Sequence, residues 1–202
     1  MVVIIDYQMG NKQSVSNAFA SLGCAVVTSH QPEDIKQATH LVLPGVGAFG
    51  DGMKNLTQLG LIPILAEEVL GKKKPFLGVC LGMQLLATKG TEYGQHQGLN
   101  WIPGVVDLIP SQAELRIPHV GWNNVAIKRK HPLVNDLGEE ATFYFVHSYH
   151  FQPESPEDIV ATCKYGIEFA AILQKDNIFA TQFHPEKSHK DGMLILKNFL
   201  HA

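Results

Sequence analysis

The residues best placed to do covalent chemistry are a cysteine and, about a hundred positions later, a histidine with a nearby carboxylate. Cys80 lies in Gly78-Val79-Cys80-Leu81-Gly82, with a glycine two residues away on each side. That is the pattern a nucleophile elbow needs, because a sharp strand-to-helix turn leaves no room for a Cβ on either flank. A thiol at such a turn points at the N-terminus of the next helix, where partial positive charge and free N–H groups stabilise a thiolate and can bind an oxyanion. The N–H of Leu81, just after the nucleophile, is one such donor. His184 and Glu186 stand in Thr181-Gln182-Phe183-His184-Pro185-Glu186, at i and i+2 on one side of a strand end. The imidazole would serve as acid and base, and the carboxylate would fix its tautomer and stabilise the imidazolium. Pro44-Gly45-Val46-Gly47-Ala48-Phe49-Gly50-Asp51-Gly52 is a glycine-rich loop whose amides can come close to a ligand, and Gly45–Gly47 is read as the second oxyanion donor. Each motif alone has a plainer meaning: a packed cysteine, a flexible loop, a surface histidine beside an unrelated glutamate. Together they supply a nucleophile, a base, an orienting carboxylate and oxyanion donors.

These groups need a scaffold that brings three distant segments to one edge. Val2–Ile5, Ala25–Thr28 and Leu41–Pro44 read as strands. Between them lie a helix carrying Val15, Ala18, Phe19 and Leu22 with Gly23 as its stop, and a short helix opened by Pro32. The β-α-β-α-β order implies parallel pairing with helices on both faces, and ligands then collect beyond the strands' carboxyl ends. Helical spacing predicts a helix over Leu56–Leu70, the elbow strand from Lys74, and after it a helix carrying Leu81, Leu85 and Leu86 that stops at Lys89-Gly90. Beyond Gly90, segments at Gly104–Ile109, Val125–Ile127, Thr142–Val146, Ile159–Lys164, Ala170–Leu173 and Ile178–Phe183 read as antiparallel additions to the sheet. A last helix carries Leu194, Leu196, Phe199 and Leu200. The fold class is therefore α/β, a mostly parallel central sheet flanked by helices with antiparallel strands in the second half, in one domain over residues 1–202.

Composition narrows the function classes. The 202 residues are 45% hydrophobic and 17% charged, enough chain to bury about 70% of the unfolded surface. A net charge of −3, with no long basic run, argues against nucleic-acid or membrane-surface partners. No stretch approaches the ~20 apolar residues of a membrane span. Three cysteines at unrelated spacings suggest neither a disulfide framework nor a zinc site, and the ten histidines form no metal-binding pair. The expectation is a cytoplasmic protein with no metal and no cofactor.

The elbow with Phe183-His184-Pro185-Glu186-Lys187-Ser188 resembles the class I (triad) glutamine amidotransferases, which have a flavodoxin-like fold. More narrowly, Pro44–Met53, Pro118-His119-Val120-Gly121-Trp122-Asn123 and Phe145-Val146-His147-Ser148-Tyr149 resemble the glutaminase subunits of imidazole glycerol phosphate synthases, and the likeness covers nearly the whole chain. The resemblance implies a Cys80, His184 and Glu186 triad that hydrolyses L-glutamine through a thioester, with Val46 and Leu81 N–H groups at the oxyanion. It further implies that Gly47, Gln84, Glu92, Ser148 and Tyr149 hold the substrate, and that ammonia passes to a (β/α)8-barrel cyclase subunit. Asn11, Trp122, Asn123, Tyr144 and Lys187 are the candidates for the face that meets this partner. The opening turn, Asp6-Tyr7-Gln8-Met9-Gly10-Asn11-Lys12, departs from the family pattern at Gln8 and Lys12. Three other readings stay open: a paralogue feeding a surface-sugar amidotransferase, a γ-glutamyl peptidase, and a binding module that keeps the triad as a relic.

Overall fold

The computed structural model of the chain describes residues 1–111 and 115–202. The first half lays down β1 (Val2–Ile5), α1 (Lys12–Ser21), β2 (Val26–Ser29), α2 (Pro32–Gln37) and β3 (His40–Gly45), then α3 (Phe49–Gln58), α4 (Leu61–Ala66), β4 (Phe76–Cys80) and α5 (Leu81–Gln84). The second half is strand-rich: β5 (Lys89–Gly90), β6 (His96–Gln97), β7 (Gly104–Leu108), β8 (His119–Asn124), β9 (Ala126–Ile127), β10 (Thr142–His147), β11 (Tyr149–Pro153), β12 (Ile159–Tyr165), β13 (Ile167–Lys175) and β14 (Ile178–Thr181). Helix α6 (His189–Phe199) closes the chain.

An eight-stranded sheet in the order β2-β1-β3-β4-β14-β13-β12-β9 forms the centre. The pairings from β2 through to β14 are parallel, and β13, β12 and β9 continue the sheet antiparallel. The central strands are apolar throughout because alternate residues feed two different cores. Val2, Ile4, Val42, Leu77 and Val79 face α1, α6 and β10, packing with Phe19, Phe143, Ile195 and Phe199. Val3, Ile5, Leu41, Leu43 and Phe76 face α2, α3 and α4, packing with Ile35, Leu56, Leu65 and Trp101. A four-stranded sheet, β11-β7-β5-β6, and the β10-β8 pair stand apart from the central one.

Register puts the site at one edge. Gly45, the last residue of β3, pairs with Cys80, the last of β4, and Thr181 at the end of β14 pairs with Val79. The peptide running on from Thr181 to His184 therefore emerges beside the cysteine. Cys80 takes φ 55 and ψ −108, a strained setting for a residue with a side chain. The flanking glycines supply room: a Cβ on Gly78 would stand 2.6 Å from the Gly82 carbonyl oxygen, and one on Gly82 would run into the Leu43 carbonyl oxygen.

Several elements differ from the sequence reading. The helix expected after Cys80 is a single turn, and Lys89-Gly90 is a strand. The carbonyls of Leu85, Leu86 and Ala87, which would have carried the helix on, are taken by the amides of Leu99, Trp101 and Asn100. The helix expected over Leu56–Leu70 begins earlier, at Phe49, and breaks at Gly60, whose φ of 63 is left-handed. It ends in a π-helical turn at Glu67–Gly71. The glycine-rich stretch is correspondingly short, because Gly50, Asp51 and Gly52 belong to α3. Strands β6, β8 and β11 were not anticipated, the strand expected over Ile178–Phe183 stops at Thr181 and pairs parallel with β4, and the two smaller sheets are separate from the central one.

The crowding at the elbow sets a stability test. Gly82→Ala and Gly78→Ala should each lower the urea-unfolding free energy by roughly 1–3 kcal/mol through overpacking. Gly71→Ala, which meets nothing within 4 Å, should stay within about 0.5 kcal/mol of the parent. An unchanged midpoint for Gly82→Ala would contradict the steric account of the elbow.

Candidate active site

Val46, Gly47, Ala48, Cys80, Leu81, Gln84, Glu92, Tyr93, Pro118, Val146, His147, Ser148 and Tyr149 line one pocket of about 370 Å³. All the residues predicted to form the oxyanion hole and to hold substrate are among them, so segments about a hundred residues apart in sequence share a single cavity. Gly45 lies just behind it. A Cβ there would overlap the Tyr7 hydroxyl and approach Leu81 Cβ to 2.8 Å, so the loop reaches the elbow only because residue 45 has no side chain.

Cys80 is 6% exposed. Its Sγ lies 3.9 Å from the Val146 carbonyl, to which the thiol can donate, and 3.8 Å from Gln182 Nε2, from which it can accept. His184 Nδ1 lies 2.8 Å from Glu186 Oε1, and both side chains are buried. A carboxylate can only accept here, so Nδ1 carries the proton. Burial disfavours the His184 imidazolium, but the Cys80 thiol and the Glu186 carboxylate overcome that and raise its pKa to about 10. His184 Nε2 is buried and makes no hydrogen bond, and Cys80, whose proximity raises the imidazole pKa, is the group it can serve. The main chain around the imidazole is pinned as well: His184 N–H donates to the Tyr144 carbonyl at 2.9 Å, and Ser188 Oγ donates to the His184 carbonyl at 2.6 Å.

The substrate-side candidates are held by one another. Gln84 Nε2 donates to the Tyr149 carbonyl at 2.9 Å and to Gln182 Oε1 at 3.1 Å. Both amide hydrogens are thus committed, and Oε1 remains as an acceptor. Glu92 Oε2 accepts from Phe49 N–H at 2.8 Å, where an acid also suits the helix N-terminus. This cap is why α3 starts so early. The Ser148 carbonyl accepts from Ile109 N–H at 2.8 Å.

Among the interface candidates, Trp122 stacks on His189 at 4.8 Å and meets Tyr144 edge-on at 6.0 Å, with Lys187 Nζ 5.8 Å from the Tyr144 ring. Trp122 is 48% exposed and Val120, on the same face of β8, 56%. Asn123 points to the other face, with Nδ2 3.1 Å from the Lys164 carbonyl and 3.5 Å from His119, so it does not join the Trp122 cluster. The Asn11 side chain accepts from Ser14 N–H and caps α1. The sequence reading missed Gln182, a fully buried polar residue just beyond the apolar strand β14. It also gave no role to His119 and His147, whose rings meet at 3.1 Å. Among the described residues, no three His, Cys, Asp or Glu side chains converge as a metal site requires.

Residues 3–202 match the family Glutamine amidotransferase class-I. The chain is 50% identical over 204 residues to imidazole glycerol phosphate synthase subunit HisH of Geobacter sulfurreducens, covering 98% of this chain and 97% of the relative. It is 46% identical over 200 residues to subunit HisH 2 of Pseudomonas aeruginosa, covering 99% and 98%. A crystal structure of a glutamine amidotransferase shares the fold, with a TM-score of 0.74 at 18% identity over 100% of this chain and 98% of that one. The chain belongs to the class-I glutamine amidotransferase family and, at this likeness over its full length, to the HisH branch of it.

Burial of the paired histidines generates a pH prediction. Burial lowers the His119 pKa to about 4 and the His147 pKa to about 3, the latter helped by the neighbouring His119, His150 and His184 charges. The unfolded chain takes up these protons near pH 6.5, whereas the folded chain does so only well below. Stability held above about pH 6.5 is therefore lost as pH falls towards 4 and below. His40, His131 and His150 are shifted the same way by burial. Urea midpoints measured between pH 7 and 4.5 should fall steadily, and less steeply in His119→Phe. A flat profile would contradict the neutral buried pair.

Proposed function

We propose that the chain is the glutaminase subunit of an imidazole glycerol phosphate synthase, supplying ammonia to a cyclase subunit in histidine biosynthesis. The observation that carries this reading is the Cys80 elbow, which shares a pocket with Val46 and Leu81 while the Glu186-held His184 serves the same thiol. Within it, residues 1–202 work as one domain, supported by a central sheet that both cores share. A cytoplasmic setting is supported by three free cysteines. Among the described residues, no helix is long and apolar enough to cross a membrane.

In this mechanism the Cys80 thiolate attacks the side-chain carbonyl carbon of L-glutamine, and the oxyanion that forms takes hydrogen bonds from the Leu81 and Val46 N–H groups. His184 Nε2–H gives its proton to the departing nitrogen. The C–N bond breaks and leaves ammonia and a γ-glutamyl thioester. The now neutral imidazole takes a proton from water, the hydroxide adds to the thioester carbon, and the C–S bond breaks to regenerate the thiolate. Glutamate leaves, its carboxyl proton passing to solvent. Glu186 keeps the imidazole oriented throughout. Gln84 Oε1, Glu92, Gly47 and the Ser148–Tyr149 segment hold the amino acid, with a carboxylate suited to its α-ammonium group.

Ammonia that meets bulk water is protonated, so the pocket must open against the partner. The exposed Val120 and Trp122, with Tyr144 and Lys187 beside them, give that face aromatic and cationic anchors of the kind interfaces favour. Asn11 belongs to the same reading through α1, which packs beside the turn carrying Lys187, whereas Asn123 does not. Control by the partner is placed at the Gly45–Gly47 loop, where a peptide must turn its N–H inward to complete the oxyanion hole.

The test is glutamate and ammonia release by the chain alone and with its cyclase subunit. Cys80→Ala should lower kcat by roughly 10⁴-fold or more, and the complex with the cyclase's ligand bound should turn over faster than the isolated chain. Ammonia release retained in Cys80→Ala would overturn the nucleophile assignment. Equal rates with and without the liganded partner would overturn the control assigned to the loop.

A further inference from the structure

A chain of hydrogen bonds runs from the pocket wall into the protein, and its two histidines, His147 and His119, take part in none of the steps above. It starts at the Tyr149 carbonyl, which accepts from Gln84 Nε2 at 2.9 Å and lies 2.8 Å from His147 Nδ1. A carbonyl only accepts, so His147 carries a proton on Nδ1. His147 Nε2 is 3.1 Å from His119 Nδ1, and two N–H groups cannot face each other at that distance. With both rings uncharged, His147 Nε2 accepts and His119 Nδ1 donates. His119 Nε2 is then an acceptor, and Asn123 Nδ2 stands 3.5 Å away to fill it. One carbonyl therefore fixes the tautomers of both rings and the direction of the whole chain.

The two rings are held as rigidly as their protons. They sit opposite each other in the β8–β10 pairing and are 2% and 6% exposed. His119 lies between Phe145, stacked at 4.9 Å, and Tyr165, stacked at 3.9 Å, and His147 meets Phe169 edge-on at 5.0 Å. Two imidazoles buried among aromatic rings are a costly substitute for apolar side chains unless their hydrogen bonds specify something. What they specify is the Tyr149 carbonyl. That oxygen has two lone pairs and both are filled, so its peptide cannot rotate without losing two bonds. Gln84 is oriented by the same oxygen and by Gln182, which turns Gln84 Oε1 to the pocket.

We propose that His119 and His147 are positioning residues for glutamine: their one-way chain locks the Tyr149 carbonyl, which in turn aims Gln84 Oε1 at the N–H groups of the bound amino acid. This rests on the glutaminase reading. The outer end of the chain at Asn123 lies on β8, on the face opposite Trp122 and Val120.

The test compares KM and kcat for glutamine in the complex with the cyclase subunit, for the parent, His147→Leu, His147→Asn and His119→Phe. An electrophilic glutamine analogue counts competent sites in each preparation. Asparagine keeps a donor where Nδ1 was, and phenylalanine keeps the stack but loses the donor. Losing one such hydrogen bond is worth about tenfold in affinity. His147→Leu should raise KM about tenfold with kcat per competent site within about threefold, His147→Asn should bring KM back to within about threefold, and His119→Phe should fall between. An unchanged KM in both His147→Leu and His119→Phe would overturn the proposal, as would a loss confined to the number of competent sites, which is what a purely structural role gives. If the parent complex released no ammonia at all, the glutaminase reading would fall first and this inference with it.

Discussion

At Cys80 the backbone adopts φ 55 and ψ −108, a conformation costing about 1–3 kcal/mol for a residue with a side chain, and the rest of the site depends on its being held there. The parallel register of β3, β4 and β14 provides the hold. It sets Gly45 beside Cys80 and delivers the segment after Thr181 to the same edge. Glycine at 78 and 82 lets the turn close against the Gly82 and Leu43 carbonyls, and glycine at 45 lets the oxyanion loop come up against Leu81. Without this turn the thiol would not reach the imidazole, and the amide of Leu81 would not face the pocket. The strain is placed where two cores and five parallel strands can resist it.

The parts of this arrangement visible in the sequence are those governed by local rules. The apolar runs of β1, β3 and β4 are continuous because both faces are covered, and Gly-x-Cys-x-Gly is steric necessity written in five residues. His184-Pro185-Glu186 was legible as a pair of partners, but the strand ends at Thr181 and a 3-10 turn at Pro185–Lys187, rather than strand parity, brings the carboxylate to the imidazole. The parts that were not visible depend on partners far along the chain. Helix α3 starts at Phe49 because Glu92, 43 residues on, caps it. The helix after the elbow stops after one turn because the amides of Leu99, Asn100 and Trp101 take the carbonyls it would need. The His119–His147 contact arises from the pairing of β8 with β10, and strand β8, with glycine and two asparagines, carries little strand signal of its own.

The same dependence explains how one face can serve two purposes. Alternation along β8 sends Val120 and Trp122 outwards and His119 and Asn123 inwards, so neighbouring residues of one strand meet either solvent or the pocket wall. Tyr144, opposite Trp122 in the pairing, gives its carbonyl to the His184 amide. The surface and the imidazole are therefore one peptide apart. Main-chain hydrogen bonds thus tie this exposed face to the triad over a short path.

Covalent labelling with a chloroketone analogue of glutamine is the most direct measurement of the central claim, that this elbow presents a reactive thiol inside a glutamine pocket. With three free cysteines of different burial in the chain, the site of modification discriminates sharply. The account predicts one label per chain, on Cys80, slowed by added glutamine and by His184→Ala. Label on Cys24 or Cys163, or labelling of Cys80 that glutamine does not slow, would contradict it.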